Sequence, residues 1–246
     1  MRTPLGINQI KSLRLPNMPR LKIDLHVHTN HSDSTSSVEK IIEVARERHL
    51  DGIAITDHET VIASAYTSRL APDLIIIPGV EIETTEGHIL VLGVKNPPTK
   101  GLNAVEVAEY ARKKGGIIII PHPNIPFLSM REEVIRQVKP DAIETHNAKT
   151  PFFWHFKEKN IRLADRLGLP KTGGSDAHSH QTVGDMYTVV DADSRTVEAV
   201  LEAVRRGKTQ PEGKVSSLRE RVKMSIYVLL LKLHIIRNPH LGEESW

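Results

Sequence analysis

Cysteine is absent from all 246 residues of the chain. That excludes disulfides, thiolate metal sites and cysteine nucleophiles. Aromatic residues make up only 4%. The core should therefore be aliphatic, and no dense basic stripe with interleaved aromatics is present to suggest an RNA-binding surface. No glycine-rich phosphate fingerprint follows the first strand-like run, which argues against dinucleotide binding. No apolar signal-peptide core is seen at the N-terminus, so a cytoplasmic protein is expected. The apolar run Met224–Leu231 continues through Leu233, Ile235 and Ile236, but Lys232 and His234 interrupt it. It is too short and too broken to span a bilayer, so no stable membrane insertion is expected. Neither sign of charge dominates: 33 Lys and Arg face 30 Asp and Glu, a formal net charge of +3. This mild excess permits a phosphate-bearing substrate without requiring one.

Histidine, by contrast, is plentiful, with 13 residues. Strand-like apolar runs alternate with helical patterns. The strands are expected at 21–26, 52–56, 74–77, 89–93, 116–120, 142–144, 171–173 and 186–190. The helices are expected at 37–48, 103–114, 131–138, 153–167 and 194–206. Val38, Ile41, Ile42 and Ala45 form the apolar stripe of the first helix. Ile117–Ile120 is apolar on both faces, as a buried parallel strand requires. The alternation implies an α/β barrel with a mainly parallel sheet, built from residues 21–213. Residues 1–20, with Pro4, Pro16 and Pro19, read as a tail or strap. Residues 214–246 read as a C-terminal extension with a helix at 219–237. Its apolar residues surround the helix, which leaves packing on the barrel or on a second copy of the chain (a homo-oligomer) open.

Nine candidate metal ligands gather at strand ends: His26, His28, Asp33, His58, Glu81, His88, His122, Asp176 and His178. In Asp24-Leu25-His26-Val27-His28 the two histidines are two residues apart, so they share a strand face. Asp176-Ala177-His178 repeats the device with a carboxylate. His88 precedes its strand, and a hairpin after Glu81 would bring it back to the rim. A lone strand-end histidine is more often a hydrogen-bonded rim residue than a ligand. A set collected at one end of several strands has no such structural explanation. Nine ligands exceed the needs of one ion and suit two or three. Nitrogen and oxygen donors without sulfur suit Zn, Mn or Fe.

The blocks Asp24–Thr29 with Ser32-Asp33, Thr56-Asp57-His58, Gly79-Val80-Glu81, Pro121-His122-Pro123 and Gly174–His178 resemble, in order, the PHP (polymerase and histidinol phosphatase) family. The resemblance implies a distorted (β/α)7 TIM-like barrel with a trinuclear metal site at the C-terminal rim. It also implies a phosphoesterase of the standalone kind that acts on nucleotides or short oligonucleotides. Carried over by position, His26, His28, Glu81 and Asp176 would hold the first ion, with Glu81 bridging to the second. His88 and His122 match the second site, and Asp33, His58 and His178 the third. Glu81, Asp176 and His178 are expected closest to the reaction, in which a metal-activated hydroxide attacks phosphorus. Asp57 and Asn147 would orient the histidines, and Lys149 and His180 would meet substrate phosphate. The sequence departs from the commonest pattern with His31 in the first block and His146 where tyrosine is frequent, and neither change removes a ligand. The alternatives are a histidinol-phosphatase-like phosphomonoesterase, or a non-catalytic PHP-type RNA-binding subunit. The filled ligand set argues against the second.

Overall fold

Strand β1 (Arg20–Val27) is the first element in chain order among the described residues, and it pairs with the second strand on one side and the eighth on the other. The computed structural model describes residues 19–125 and 129–237. Residues 1–18, which hold nearly all of the expected N-terminal strap, lie outside the described residues. After β1 come α1 (Val38–Glu47), β2 (Gly52–Ile55), α2 (Ile62–Leu70), β3 (Ile75–Thr84), β4 (Gly87–Leu92), α3 (Ala104–Lys113), β5 (Ile117–Ile120) and α4 (Glu132–Val138). They are followed by β6 (Ala142–Asn147), α5 (Phe153–Leu167), β7 (Lys171–Gly174), β8 (Met186–Asp191), α6 (Val197–Arg205), β9 (Thr209–Gly213) and α7 (Leu218–Lys232).

The nine strands form one sheet in the order β7-β6-β5-β4-β3-β2-β1-β8-β9. The sheet curls into a nearly closed barrel. Asp176 N, just after β7, donates to His26 O at 2.9 Å, and a parallel bridge joins Val27 to Ala177. Thr188 Oγ1 of β8 both accepts from Gly173 N and donates to Gly173 O, each at 2.8 Å. Pairing is less parallel than the alternation suggests. β1–β2, β2–β3, β5–β6 and β6–β7 are parallel. β3–β4, β4–β5, β1–β8 and β8–β9 are antiparallel. The cause is that β3 runs on through Pro78-Gly79 to Thr84 and turns back directly into β4, without a crossover helix.

Apolar side chains fill two layers. Leu21, Ile23, Ile77, Leu92, Ile117 and Ile119 pack inside the barrel, which Val200 and Val204 of α6 close at one end. Ile118 and Ile120 point the other way, onto Val107 and Ala111 of α3. The Ile117–Ile120 run is thus apolar on both faces because both are covered. Between Asp24 and Val27 the β1–β2 register shifts. Leu21, Ile23 and Leu25 therefore face inward, whereas Val27 packs outward with α1. The irregularity hands the inner face of the strand end to His26 and His28.

Two elements escape the periodicity. α2 has a weak apolar stripe, with Ala63, Ser64 and Thr67 as its buried residues. β9 contains Pro211, which an edge strand tolerates. The C-terminal helix is Leu218–Lys232, shorter than the expected 219–237 at its far end. Met224 is its only buried residue, and Leu218, Val222, Ile226 and Leu229 are exposed. Among the described residues no helix is long and apolar enough to cross a membrane.

Candidate metal centre

The end of β1 supplies the first two side chains. His26 Nε2 and His28 Nε2 stand 3.1 Å apart, and each lies 3.2 Å from Glu81 Oε2. Donors on one tetrahedral ion at about 2.1 Å lie roughly 3.4 Å apart, so this triangle has the dimensions of a coordination face. The hairpin supplies the second group. In its register Glu83 faces His88 and Glu81 faces Leu90, so Glu81 and His88 are diagonal neighbours on one face. His88 Nδ1 lies 2.9 Å from Glu81 Oε1, and His122 Nε2 lies 3.2 Å from the same oxygen. The third group combines His28, Asp33, His58 and His178. His178 Nε2 is 3.1 Å from Asp33 Oδ2, and His58 Nε2 is 3.7 Å from it. Eight of the nine sequence candidates therefore fall into three groups that share Glu81 and His28. Asp176 stands beside the first group, its Oδ1 at 3.6 Å from His28 Nε2 and 3.9 Å from His26 Nε2.

Backbone outliers help aim these side chains. His122, between two prolines, has φ of 32°, and Asp176 has φ of 51°. Left-handed backbone at non-glycine residues costs energy and persists where the surroundings enforce it. Gly174 is required for a different reason. A Cβ there would stand 2.5 Å from the His26 Cβ and 2.7 Å from Glu144 Oε1.

Buried polar groups fix the ligand orientations. Glu144, a buried carboxylate in strand β6, has Oε1 3.0 Å from His26 Nδ1. With Nδ1–H donating to Glu144, His26 Nε2 is the nitrogen turned to the centre. Glu144 Oε2 accepts from His122 N and from Asn147 Nδ2, and Asn147 also donates to Asp176 Oδ2 at 3.1 Å. Sequence reasoning named Asn147 but missed Glu144, which was read only as the last residue of a strand. Asp57 accepts from Thr29 N, Thr29 Oγ1 and Ser32 Oγ at 2.6–2.7 Å, which ties the Asp33 loop to the residue before His58. A parallel bridge sets His58 against Glu81.

The electrostatics call for positive charge. Burial works against a charged His26, yet the carboxylates of Glu144, Asp176 and Glu81 raise its pKa well above the ordinary value. Burial likewise opposes the Glu81 carboxylate, but His26, His58 and His88 hold its pKa well below the usual range. Asp176 is lowered too, against burial, by Lys149, His26 and His178. His28 is pushed down to about 3 by burial and by His178. It is therefore neutral, with one ring nitrogen able to offer its lone pair. His28 Nδ1, His58 Nδ1 and His122 Nδ1 are buried without a hydrogen-bond partner. Carboxylates packed this closely against imidazole nitrogens fit divalent cations, which would bind both.

The remaining candidates part ways. Lys149 joins the centre, its Nζ 3.5 Å from Asp176 Oδ1 and 3.2 Å from His178 Nδ1. His180 is tied to Ser36 instead: its ring Nδ1 lies 2.9 Å from Ser36 Oγ. His146 turns to Thr145 Oγ1 at 2.8 Å, and burial pushes it down to about 4. His31 is half-buried in the loop after β1.

Comparison with known proteins agrees with this centre. The PHP domain model matches residues 24–128, and the PHP-associated C-terminal model matches residues 154–209. An uncharacterized protein of Methanocaldococcus jannaschii is 33% identical over 141 residues, covering 52% of this chain and 82% of that one. The 5'-3' exoribonuclease Rnm of Escherichia coli is 40% identical over 79 residues, 29% of this chain and 27% of the nuclease. Among solved structures, a two-domain Bacteroides vulgatus protein containing a predicted PHP-like metal-dependent phosphoesterase superposes with a TM-score of 0.70 at 18% identity. That match covers 85% of this chain and 70% of that one. Ligand-like groups at the rim, two successive domain matches and a similar barrel agree: the chain belongs to the PHP-domain family and is a metal-dependent phosphoester hydrolase.

Proposed function

We propose that the protein hydrolyses phosphoester bonds of nucleotides or short oligonucleotides, using two or three Zn, Mn or Fe ions held by the nine rim residues. The observation that carries this reading is the convergence of three donor groups that share Glu81 and His28. His26, His28, Glu81 and Asp176 would hold the first ion, Glu81, His88 and His122 the second, and Asp33, His58 and His178 the third. Ions so placed supply a water acidic enough to ionise near neutral pH and neutralise phosphoryl oxygens. The chain's own groups do the rest. Glu144 and Asn147 keep His26 and Asp176 in place. Lys149, the cation nearest Asp176 and His178, meets a phosphoryl oxygen on that side. The identity to an exoribonuclease over 79 residues supports a nucleotide-bearing substrate.

Chelator-treated protein should lose hydrolysis of bis(p-nitrophenyl) phosphate and of short oligonucleotides, and Mn or Zn should restore both. Activity that survives removal of metal, verified by elemental analysis, would overturn the reading.

A further inference from the structure

We propose that α7 is a bar across the mouth of the metal centre that admits a phosphoester at a chain end or on a single nucleotide and keeps the interior of a polynucleotide out. This inference rests on the phosphoesterase reading above. Both family matches end before α7, so nothing in them accounts for the helix.

The helix is fastened on both sides of the centre. Near its start Arg221 donates from Nε to Ser216 O and from Nη1 to Thr150 O, at 3.1 and 2.9 Å. Thr150 belongs to the loop after β6, where its Oγ1 donates to Asn147 Oδ1. In the middle, Met224 is buried with its Sδ 4.0 Å from Thr35 Oγ1. Thr35 in turn donates from its backbone N to His178 O at 3.0 Å. One turn on, Tyr227 is half-buried, and its phenol pKa is raised by burial and by the Asp33 carboxylate. At the far end Lys232 Nζ lies 3.2 Å from Glu83 Oε1. Glu83 Oε1 is itself 3.9 Å from His58 Nδ1 and 3.8 Å from His88 Nε2.

The contacts follow one line, from the Asp176 and His178 side, past Thr35 in the loop after β1, to the His58 and His88 side. The twelve residues from Arg221 to Lys232 span about 16 Å of helix, enough to bridge the rim. Under the helix the gap lined by Lys149, Asp176, His178, Ser216, Arg221 and Met224 has room for about one water molecule. A strand that runs through the site needs an exit on both sides, and α7 closes one. A terminal phosphate needs only an entrance.

A circular single-stranded oligonucleotide, which has only interior phosphodiesters, separates the two cases. The metal-loaded full-length protein should degrade the linear form and cut the circle about 100-fold more slowly or less. Two variants of the whole chain, Lys232→Glu and the double variant Met224→Ala/Lys232→Glu, should release the helix. The single variant should speed cutting of the circle by about threefold and the double variant by about tenfold or more, with bis(p-nitrophenyl) phosphate turnover held within about threefold. Lys232 is exposed, so the single variant keeps the readout if the double variant does not fold. Equal cutting of circle and linear form by the natural protein would overturn the bar, as would a circle that stays intact in folded variants. Absent bis(p-nitrophenyl) phosphate turnover would instead count against the phosphoesterase reading.

Discussion

At the rim of the barrel His26, His28 and Glu81 are at most 2% exposed, and each is held by groups from two or three different strands. In α7 a single side chain is buried, and the far end is tied down by an exposed ion pair. Such a pair is worth roughly 0–1 kcal/mol. The two regions meet the same substrate but are stabilised by different means. The rim owes its geometry to the sheet and cannot move without breaking it. The helix rests on one methionine and a few hydrogen bonds, so it can move alone. Chemistry is thus placed on the stiff part, and selection on the part that can yield.

The contrast can be broken at its strong side first. Glu81→Gln should cut turnover by about 10³-fold or more, because several kcal/mol of charge stabilisation goes with the ions it shares. Bound metal per chain, measured by elemental analysis, should fall with it. Glu144→Ala should be milder, with metal affinity down about 10–100-fold, because it frees His26 to turn without removing a donor. Titration with Zn or Mn of the folded variant reads this directly. The smallest effect sharpens the other side. Met224→Ala should leave the denaturant midpoint of the barrel in place, while amide hydrogens of α7 exchange about tenfold or more faster. A shift of the whole unfolding curve would mean that helix and rim form one cooperative unit.

The sequence makes the rim more legible than the helix. His26 and His28 declare themselves through their spacing, and Asp176 and His178 do the same after β7. The expected hairpin brings His88 back beside Glu81. The β1 irregularity is hidden, because it arises from pairing with β2 and not from any residue in β1. Glu144 is hidden because the apolar run before it is only Ala142-Ile143, so the acid reads as a strand-end residue, whereas the strand runs on to Asn147. α2 is hidden by its weak stripe, and β9 by Pro211. For α7 the pattern gives the helix but not its seat. Leu218, Val222, Ile226 and Leu229 made its apolar surface look continuous, yet the face that meets the barrel uses Arg221, Met224 and Tyr227.

The β3–β4 hairpin carries one more implication. Its turn is only Thr85-Glu86, and strand side chains alternate faces with every residue. Glu81 and His88 look into the centre, while Ile82 and Ile89, paired in the same register, look into the core. One residue added to or lost from that turn would exchange these faces, burying an imidazole in aliphatic packing and offering isoleucine to the cations. The length of a two-residue turn is therefore part of the coordination chemistry: an insertion there would register as lost metal affinity before it registered as a lost fold.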